Sequence, residues 1–455
     1  MHLLRFALLS AAFIATSASS KPFKIEVVDG ENGWPVPLVE LTTTHNVSFV
    51  TDNAGIIAVD LPELMGRETW FHVRSDGYEL PKDGFGNRGV RFTPRADGSG
   101  RIEITRTMIA KRLGRLTGAG IFAESQKLGE HLDWKESGSF GCDSVQISAH
   151  RGKLFWAWGD TNLARYPLGV FDMTSATTTL VPLVRFEPPV ELAFDYFRAE
   201  QGIPRGVADL AGDGPTWIGG YVSLPDQDGE PRLVGTYAKI RGFLEAYRTG
   251  LCVWNDESES FESKRVLWEK SAQSPTPPAA PTGHPSFWSD ADGKRWLLFG
   301  DPFPHLSVPA SFEAWQNPEQ WEHLDPQASV PSARGGRQIK PHRGSIAWNA
   351  YRKRWVAVFT QLDGQPSPLG EIWYAEADSP IGPWEGAVKV LSHESYSFYN
   401  PRLHADFTPD GSPILLFEGT YTNLFSKSPT KTPRYDYNQI LYRLDLDDPA
   451  LNAAP

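Results

Sequence analysis

Leu154-Phe155-Trp156-Ala157-Trp158-Gly159-Asp160 is an apolar run that ends in a carboxylate, and it stands just after the turn-forming pair Arg151-Gly152. A polar start and a second apolar run, Asp143-Ser144-Val145-Gln146-Ile147, come before that turn. Two apolar runs around a short glycine-containing turn predict a pair of antiparallel strands. The start of the first strand and the end of the second should then lie side by side.

The same arrangement returns along the chain, and repeats of this length are typical of propellers. Five such units lie between about residue 115 and residue 446, which leaves room for four strands in each. We therefore predict an all-β fold, with a five-bladed β-propeller over residues 111–450. The later copies, each given by its two strands, are 284–288 with 296–301, 342–346 with 355–361, 399–404 with 414–418, and a looser copy, 216–222 with 232–237.

Composition agrees with many short strands. Aromatic residues make up 12% of the chain, with 16 Trp, and 41 Gly and 37 Pro recur as breakers. Flat aromatic rings stack on sugar rings, although most of these Trp residues are expected to fill the core. The net charge of -11 argues against nucleic acid or an anionic membrane as a partner.

Residues 1–20 resemble a secretory leader, with Arg5 ahead of an apolar run from Phe6 to Ile14 and small residues after it. We expect an exported protein, secreted or periplasmic, that works as a monomer without crossing a membrane. The only cysteines, Cys142 and Cys252, could form one disulfide or remain two buried thiols.

Residues 21–110 read as strands only and predict a small β-sandwich ahead of the propeller. The segment contains Val36-Pro37, then Thr51-Asp52-Asn53-Ala54-Gly55, then Gly77-Tyr78. This order resembles the transthyretin-like, carboxypeptidase-regulatory-like domains. Such modules are usually accessory, and the residues suggest no chemistry there.

Two strings in the predicted propeller resemble known glycosidases. Phe155–Asn162, preceded by Asp143, is similar to the first blade of five-bladed propeller glycosidases of the endo-D-arabinanase type. Ala377–Trp384 resembles a string of the arabinanase and xylosidase group, glycoside hydrolase family 43. The resemblance implies a glycoside hydrolase that acts on a polysaccharide or oligosaccharide. The family's usual third-blade acid has no clear counterpart, because that region holds His284 and Asp301.

Glycosidases need two carboxyl groups, and Asp143 and Asp160 are the pair that we predict. Glu371 and Glu418 are reserves for the acid. Asp301 repeats the spacing of Asp160, since it follows His284 by the same 17 positions. His342 is a further catalytic candidate. The predicted substrate-binding residues are His284, Trp288, Asp301, Tyr399, Arg402, His404, Glu418, Arg434 and Tyr437.

Two other functions stay open on the sequence alone. A propeller polysaccharide lyase would use His and Tyr side chains as acid and base, with a metal held by His284, His342 and His404. A binding-only propeller would hold carbohydrate without cleaving it. No cofactor is expected, and a central divalent cation is the alternative. Arg402 and Arg434 could clamp a carboxylate or sulfate.

Overall fold

The computed structural model describes residues 21–170, 173–179, 187–365, 367–394, 396–426 and 436–451. The regular structure is almost all strand, so the prediction of an all-β fold is confirmed. The predicted leader, residues 1–20, lies outside the described residues. Within the described ranges, no helix is long and apolar enough to span a membrane.

Two four-stranded sheets form the first part of the chain, in the orders β4-β1-β8-β6 and β3-β2-β5-β7. Alternate residues of these strands point inward to a shared core that includes Ile25, Leu41, Phe71 and Ile102. The strands are β1 (Phe23–Asp29), β2 (Glu40–Thr43), β3 (Ser48–Val50), β4 (Ile56–Val59), β5 (Thr69–Arg74), β6 (Tyr78–Glu79), β7 (Gly89–Phe92) and β8 (Ser99–Arg106).

A linking region and the first large sheet follow. β9 (Lys111–Arg115) and α1 (Ala123–Lys127) lead to β10 (Gly141–Cys142), β11 (Val145–His150), β12 (Lys153–Trp158), β13 (Thr161–Leu163), β14 (Tyr166–Val170), β15 (Thr174–Thr179) and β16 (Asp195–Tyr196). Strands β11-β12-β15-β16 form one sheet, and β10-β13-β14 form a small sheet beside it.

Two more four-stranded sheets come next, each in simple up-and-down order. The second is β17 (Thr216–Pro225), β18 (Pro231–Arg241), β19 (Glu245–Asn255) and β20 (Ser260–Glu269). The third is β21 (His284–Ser289), β22 (Arg295–Gly300), β23 (Pro304–Pro309) and β24 (Glu322–His323), with α2 (Phe312–Trp315) and a 3₁₀ turn, Pro318–Gln320, before its last strand.

The remaining strands complete the chain. A two-stranded sheet, β25 (Val330–Pro331) with β26 (Gln338–Ile339), precedes the fourth large sheet. That sheet is β27 (Pro341–Asn349), β28 (Arg354–Gln361), β29 (Glu371–Ala377) and β30 (Glu385–Ser392). The fifth contains β31 (Ser397–Leu403), β32 (Ile414–Thr422) and β33 (Asn438–Asp445), with a 3₁₀ turn, Ala405–Phe407, after β31.

Local sequence explains the hairpins. Arg151 and Gly152 have φ of 47° and 76°, the left-handed pair that a two-residue type I′ turn requires. The register then pairs Val145 with Trp158, so the start of β11 lies beside the end of β12. Polar residues at those two positions are therefore brought to one end of the sheet.

The first strands of the five sheets lie next to one another in sequence order. β11 contacts β17, β17 contacts β21, β21 contacts β27 and β27 contacts β31. Arg402 on β31 reaches back to the carbonyl of Ile147 on β11, at 3.2 Å. The fifth sheet takes its outer strand, β9, from the start of this part of the chain. The described sheets match the arrangement that five blades require, while the blade count and the domain limits at 110/111 stay predictions.

Cys142 and Cys252 are both free and buried. Of the two alternatives that the sequence left open, the structure has the pair of thiols and not the disulfide. Burial raises the pKa of each thiol far above its ordinary value, so both remain protonated. They act as small apolar side chains of the core.

Candidate active site

Two residues with carboxylate side chains, Asp143 and Asp160, lie side by side in the backbone, just before β11 and just after β12. The backbone N–H of Asp143 donates to the carbonyl of Asp160 at 3.0 Å. Gly159 makes room for this approach, because a Cβ placed there would lie 3.0 Å from the Cβ of Asp143. Both side chains are partly exposed. The predicted catalytic pair is thus adjacent in the fold, at the end of the first sheet.

The Asp143 carboxylate is held by hydroxyl and amide donors. Its Oδ1 accepts from the backbone N–H of Ser144 at 2.5 Å and from the Ser144 hydroxyl at 2.7 Å. Burial raises the pKa of Tyr399 well above its ordinary value, and the charge and hydrogen bonding of Asp143 raise it further. Burial also raises the pKa of Tyr437, and the negative charges of Asp143 and Asp160 raise it further. Both phenols therefore stay protonated and serve as donors.

Asp160 takes its partner from the second sheet. The indole Nε1 of Trp217, at the start of β17, donates to Oδ1 of Asp160 at 3.0 Å. The amide of Asn400, on β31, contacts the Ser144 hydroxyl. Gln439 on β33 donates to the carbonyls of Cys142 and Asp143, at 2.9 and 3.0 Å. The pair is thus supported from the first, second and fifth sheets.

Asp301 directly follows the second strand of the third sheet, and Asp160 lies two residues after the second strand of the first. Its Oδ2 accepts from Nη1 of Arg343 at 2.5 Å and its Oδ1 from the backbone N–H of Gly344 at 2.8 Å. Burial raises the pKa of Asp301, while Arg343, Gly344 and His342 oppose that rise. Burial lowers the pKa of His342, so its imidazole stays neutral near pH 7.

Charged and polar side chains also lie in the buried interior next to Asp143, Asp160 and Asp301. Burial lowers the pKa of His284 well below its ordinary range, and the positive charges of Arg402 and Arg343 add to the effect. Nε2 of His404 lies 2.9 Å from Oε1 of Glu418, and both side chains are almost fully buried. The region thus combines a neutral imidazole, a buried guanidinium and a buried His–Glu pair.

Many polar atoms around this interior have no hydrogen-bond partner in the described part of the chain. Buried polar groups are normally satisfied, so orphans gathered in one region call for water or a ligand. Donors and acceptors both occur among them. They are Nδ1 of His284 and of His342, Oε1 of Gln361 and of Gln439, Oδ1 of Asn400, Nε of Arg402 and Oε2 of Glu418.

Several predicted site residues lie elsewhere or cannot be placed. Glu371 is buried on β29, where its carboxylate accepts from Trp373 at 3.1 Å and from Lys389 at 3.2 Å, so it is part of a strand-to-strand ion pair within its own sheet. Trp288 lies four residues along β21 from His284, paired with Trp296 at the turn end of that hairpin. Arg434 lies outside the described residues.

Four contributors were absent from the sequence prediction: Ser144, Trp217, Arg343 and Gln439. Ser144 and Arg343 directly follow predicted residues, Asp143 and His342, and that adjacency was a usable signal. Trp217 sits at the start of the loosest repeat, where the pattern was weakest. Gln439 comes from a third strand, and no repeat position marked it.

The described residues contain no group of three or more His, Cys, Asp or Glu side chains arranged to hold a metal ion. Of the three predicted metal-binding histidines, His404 is bonded to Glu418 and His342 lies beside Asp301. The cofactor prediction stays untested.

No family model matches this chain, and no curated protein matches it either. Solved structures that resemble it include an exo-1,5-α-L-arabinanase from a bovine ruminal metagenomic library, at 11% identity and a TM-score of 0.38, covering 68% of this chain and 94% of the other. A Bacillus subtilis arabinanase has 11% identity and a TM-score of 0.35, covering 67% and 95%. An N-acetylgalactosamine deacetylase from F. plautii has 10% identity and a TM-score of 0.39, covering 70% and 95%. Likenesses this weak assign neither a family nor an activity to this chain.

Proposed function

We propose that the protein is a glycoside hydrolase that cleaves a polysaccharide or oligosaccharide at the Asp143–Asp160 end of the propeller. The observation that carries the proposal is the backbone-paired couple Asp143 and Asp160, both partly exposed at the edge of a polar interior. Hydrolysis of a glycosidic bond needs one carboxyl group to protonate the leaving oxygen and another to act as base or nucleophile.

The environments of the carboxylates suggest their roles. Asp143 accepts hydrogen bonds from Ser144 and lies beside two protonated tyrosines, which hold its carboxylate in position to act as base or nucleophile. Asp301 has a raised pKa, which suits a proton donor. Asp160, fixed by Trp217, would stabilise positive charge that develops on the sugar ring. Glu371 is disfavoured as the acid because its side chain is only 3% exposed, against 22% for Asp301.

The polar interior suits sugar hydroxyls. Each hydroxyl can donate and accept at the same time, and the unpartnered atoms include both the Arg402 Nε donor and the Glu418 Oε2 acceptor. A carbohydrate would satisfy both kinds of atom in place of water.

Substitution of the pair tests the proposal. Asp143→Asn and Asp160→Asn keep the side-chain shape but remove the charge, so we expect each to lower the cleavage rate at least about a thousandfold. Asp292→Asn, in an exposed turn of the third sheet, is the matched control and should leave the rate unchanged. Rates would be measured as new reducing ends on a substrate that the native protein cleaves. Near-native turnover by either folded variant contradicts the assignment.

The lyase alternative differs in its base. The raised pKa values of Tyr399 and Tyr437 disfavour phenolate as the group that removes a proton from a uronide. His342, neutral and close to Asp301, is the base that such a reaction would need. Unsaturated products absorb in the near ultraviolet, so the product separates elimination from hydrolysis.

A further inference from the structure

A second groove lies away from the carboxylates, between the segment that follows β9 and the segment that carries β16. Its volume is about 500 Å³, within the range of sites for small ligands. One wall comes from residues around His131 and Trp134, and the other from residues 191–198. None of the candidate active-site residues lines it.

Aromatic rings held in fixed positions form much of its surface. The Trp134 ring meets Phe122 edge-on, with centroids 5.2 Å apart. Phe194 meets Trp156 and Trp158 edge-on, at 5.0 and 4.9 Å. Because these neighbours fix the rings before any ligand arrives, stacking on them costs little conformational entropy.

Two polar atoms on these rings lack a hydrogen-bond partner in the described part of the chain. They are the indole Nε1 of Trp134 and the hydroxyl of Tyr196. Tyr196 is only 4% exposed, so its hydroxyl has little access to bulk water. A buried Trp or Tyr normally finds a partner for its polar end, and a ligand hydroxyl in the groove would supply one.

The charges around the groove select against anions. Nη1 of Arg198 is bonded to the carbonyls of Ser137 and Gly202, at 2.9 and 2.6 Å, and His131 is paired with Glu191 at 2.9 Å. Among the charged residues that line the groove, acidic side chains outnumber basic ones, which are Lys135 and Arg198. The acidic ones are Asp133, Glu136, Glu191 and Asp195. Phosphates and uronates would be repelled, whereas a neutral polyhydroxylated ring would not.

We propose that this groove is a second, non-catalytic site that binds a neutral saccharide, with its ring against Trp134 and Phe194 and its hydroxyls on the two unpartnered atoms. The proposal does not rest on the hydrolase assignment, since the two sites share no residue.

The test uses the full chain with Asp143→Asn, so that no probe is consumed. Neutral arabino-, xylo- and galacto-hexaoses would be titrated calorimetrically, with a galacturonate hexaose for comparison. Trp134→Ala removes the ring and the donor, and Trp134→Phe keeps the packing and removes only the N–H. Phe85→Ala, an aromatic residue that is 94% exposed on the sandwich, is the control.

We expect at least one neutral hexaose to bind at a site that is lost in Trp134→Ala and weakened about tenfold in Trp134→Phe, with Phe85→Ala unchanged. The indole N–H signal of Trp134 should also shift in NMR spectra when the hexaose is added. Binding that both Trp134 variants leave intact overturns the proposal. A preference for the uronate, or no binding by any hexaose, overturns it equally.

Discussion

Asp301 is balanced between burial, which raises its pKa, and Arg343, which opposes that rise. If Asp301 donates the proton in catalysis, Arg343→Gln removes the largest opposing charge. The pKa of Asp301 should rise, and the alkaline limb of the pH profile of kcat/KM should move to higher pH. The measurement is kcat/KM against pH on one substrate for both proteins.

Arg337→Gln is the matched control, because Arg337 is an exposed arginine in the same part of the chain. It should leave the alkaline limb in place. An unmoved limb in active Arg343→Gln would mean that Asp301 is not the proton donor.

At the residue scale, the repeat predicted positions better than roles. Asp160 and Asp301 occupy corresponding positions after the second strand of a hairpin, and Asp143 lies beside Asp160 because a hairpin fixes which residues are neighbours. Glu371 also stands at a strand end, so the sequence offered no reason to separate it from the others. Its partner, Lys389, comes from the next strand, and that register depends on bulges that no local pattern revealed.

At the scale of the elements, strand β9 takes part of its backbone hydrogen bonding from a side chain of the sandwich. Nδ2 of Asn53 donates to the carbonyls of Arg115 and Val190, at 2.9 and 3.3 Å, and its Oδ1 accepts from the Arg115 N–H at 2.9 Å. Asn53 is fully buried. One side chain thus imitates a strand partner for β9 and also ties it to the segment before β16.

We expect Asn53→Ala to lower the free energy of unfolding by about 3 kcal/mol, because three buried backbone groups lose a partner at roughly 1 kcal/mol each. Chemical denaturation of both proteins measures the difference. Asn32→Ala, which removes a single hydrogen bond in an exposed turn, should cost about 0.5 kcal/mol or less. Equal small losses for the two variants would mean that Asn53 does not stabilise β9.

The sequence predicted the strand-rich elements through their turns, yet it treated the sandwich as an accessory with no part in the propeller. The Thr51–Gly55 string was recognised as a domain signature. Its contact with β9 joins residues 62 positions apart, and no periodicity along the chain encodes such a contact.

For the whole molecule, His393 lies fully buried between the sandwich and the last two sheets. Its Nδ1 is 3.7 Å from Oδ2 of Asp76, and its Nε2 is 2.9 Å from the hydroxyl of Tyr442. Burial lowers the pKa of His393 to about 3, with the charge of Arg112 adding to the effect. Burial raises the pKa of Asp76 to about 6 against the opposing charge of Arg112.

The two shifts act in opposite directions on stability. The contribution of His393 is present above its unfolded pKa of about 6.5 and is lost as the pH falls towards 3. The contribution of Asp76 is present below about pH 4 and is lost as the pH rises through about 6. A comparison of a His393 variant with the native protein measures the contribution of His393.

We expect the native protein to lose about 2 kcal/mol relative to His393→Gln between pH 6.5 and pH 4.5, two pH units below the unfolded pKa. Denaturation midpoints across that range measure the loss. His45→Gln, at an exposed histidine, should run parallel to the native protein. Parallel curves for His393→Gln as well would contradict a neutral, buried His393.

The central claim is hydrolysis of a carbohydrate, and the most direct measurement follows reducing ends and near-ultraviolet absorbance together. The purified protein would be incubated with a panel of neutral and uronic-acid polysaccharides, beside its Asp143→Asn variant. We predict new reducing ends without absorbance on at least one substrate, and none with the variant. Absorbance that rises with the ends, or cleavage that survives Asp143→Asn, would contradict the claim.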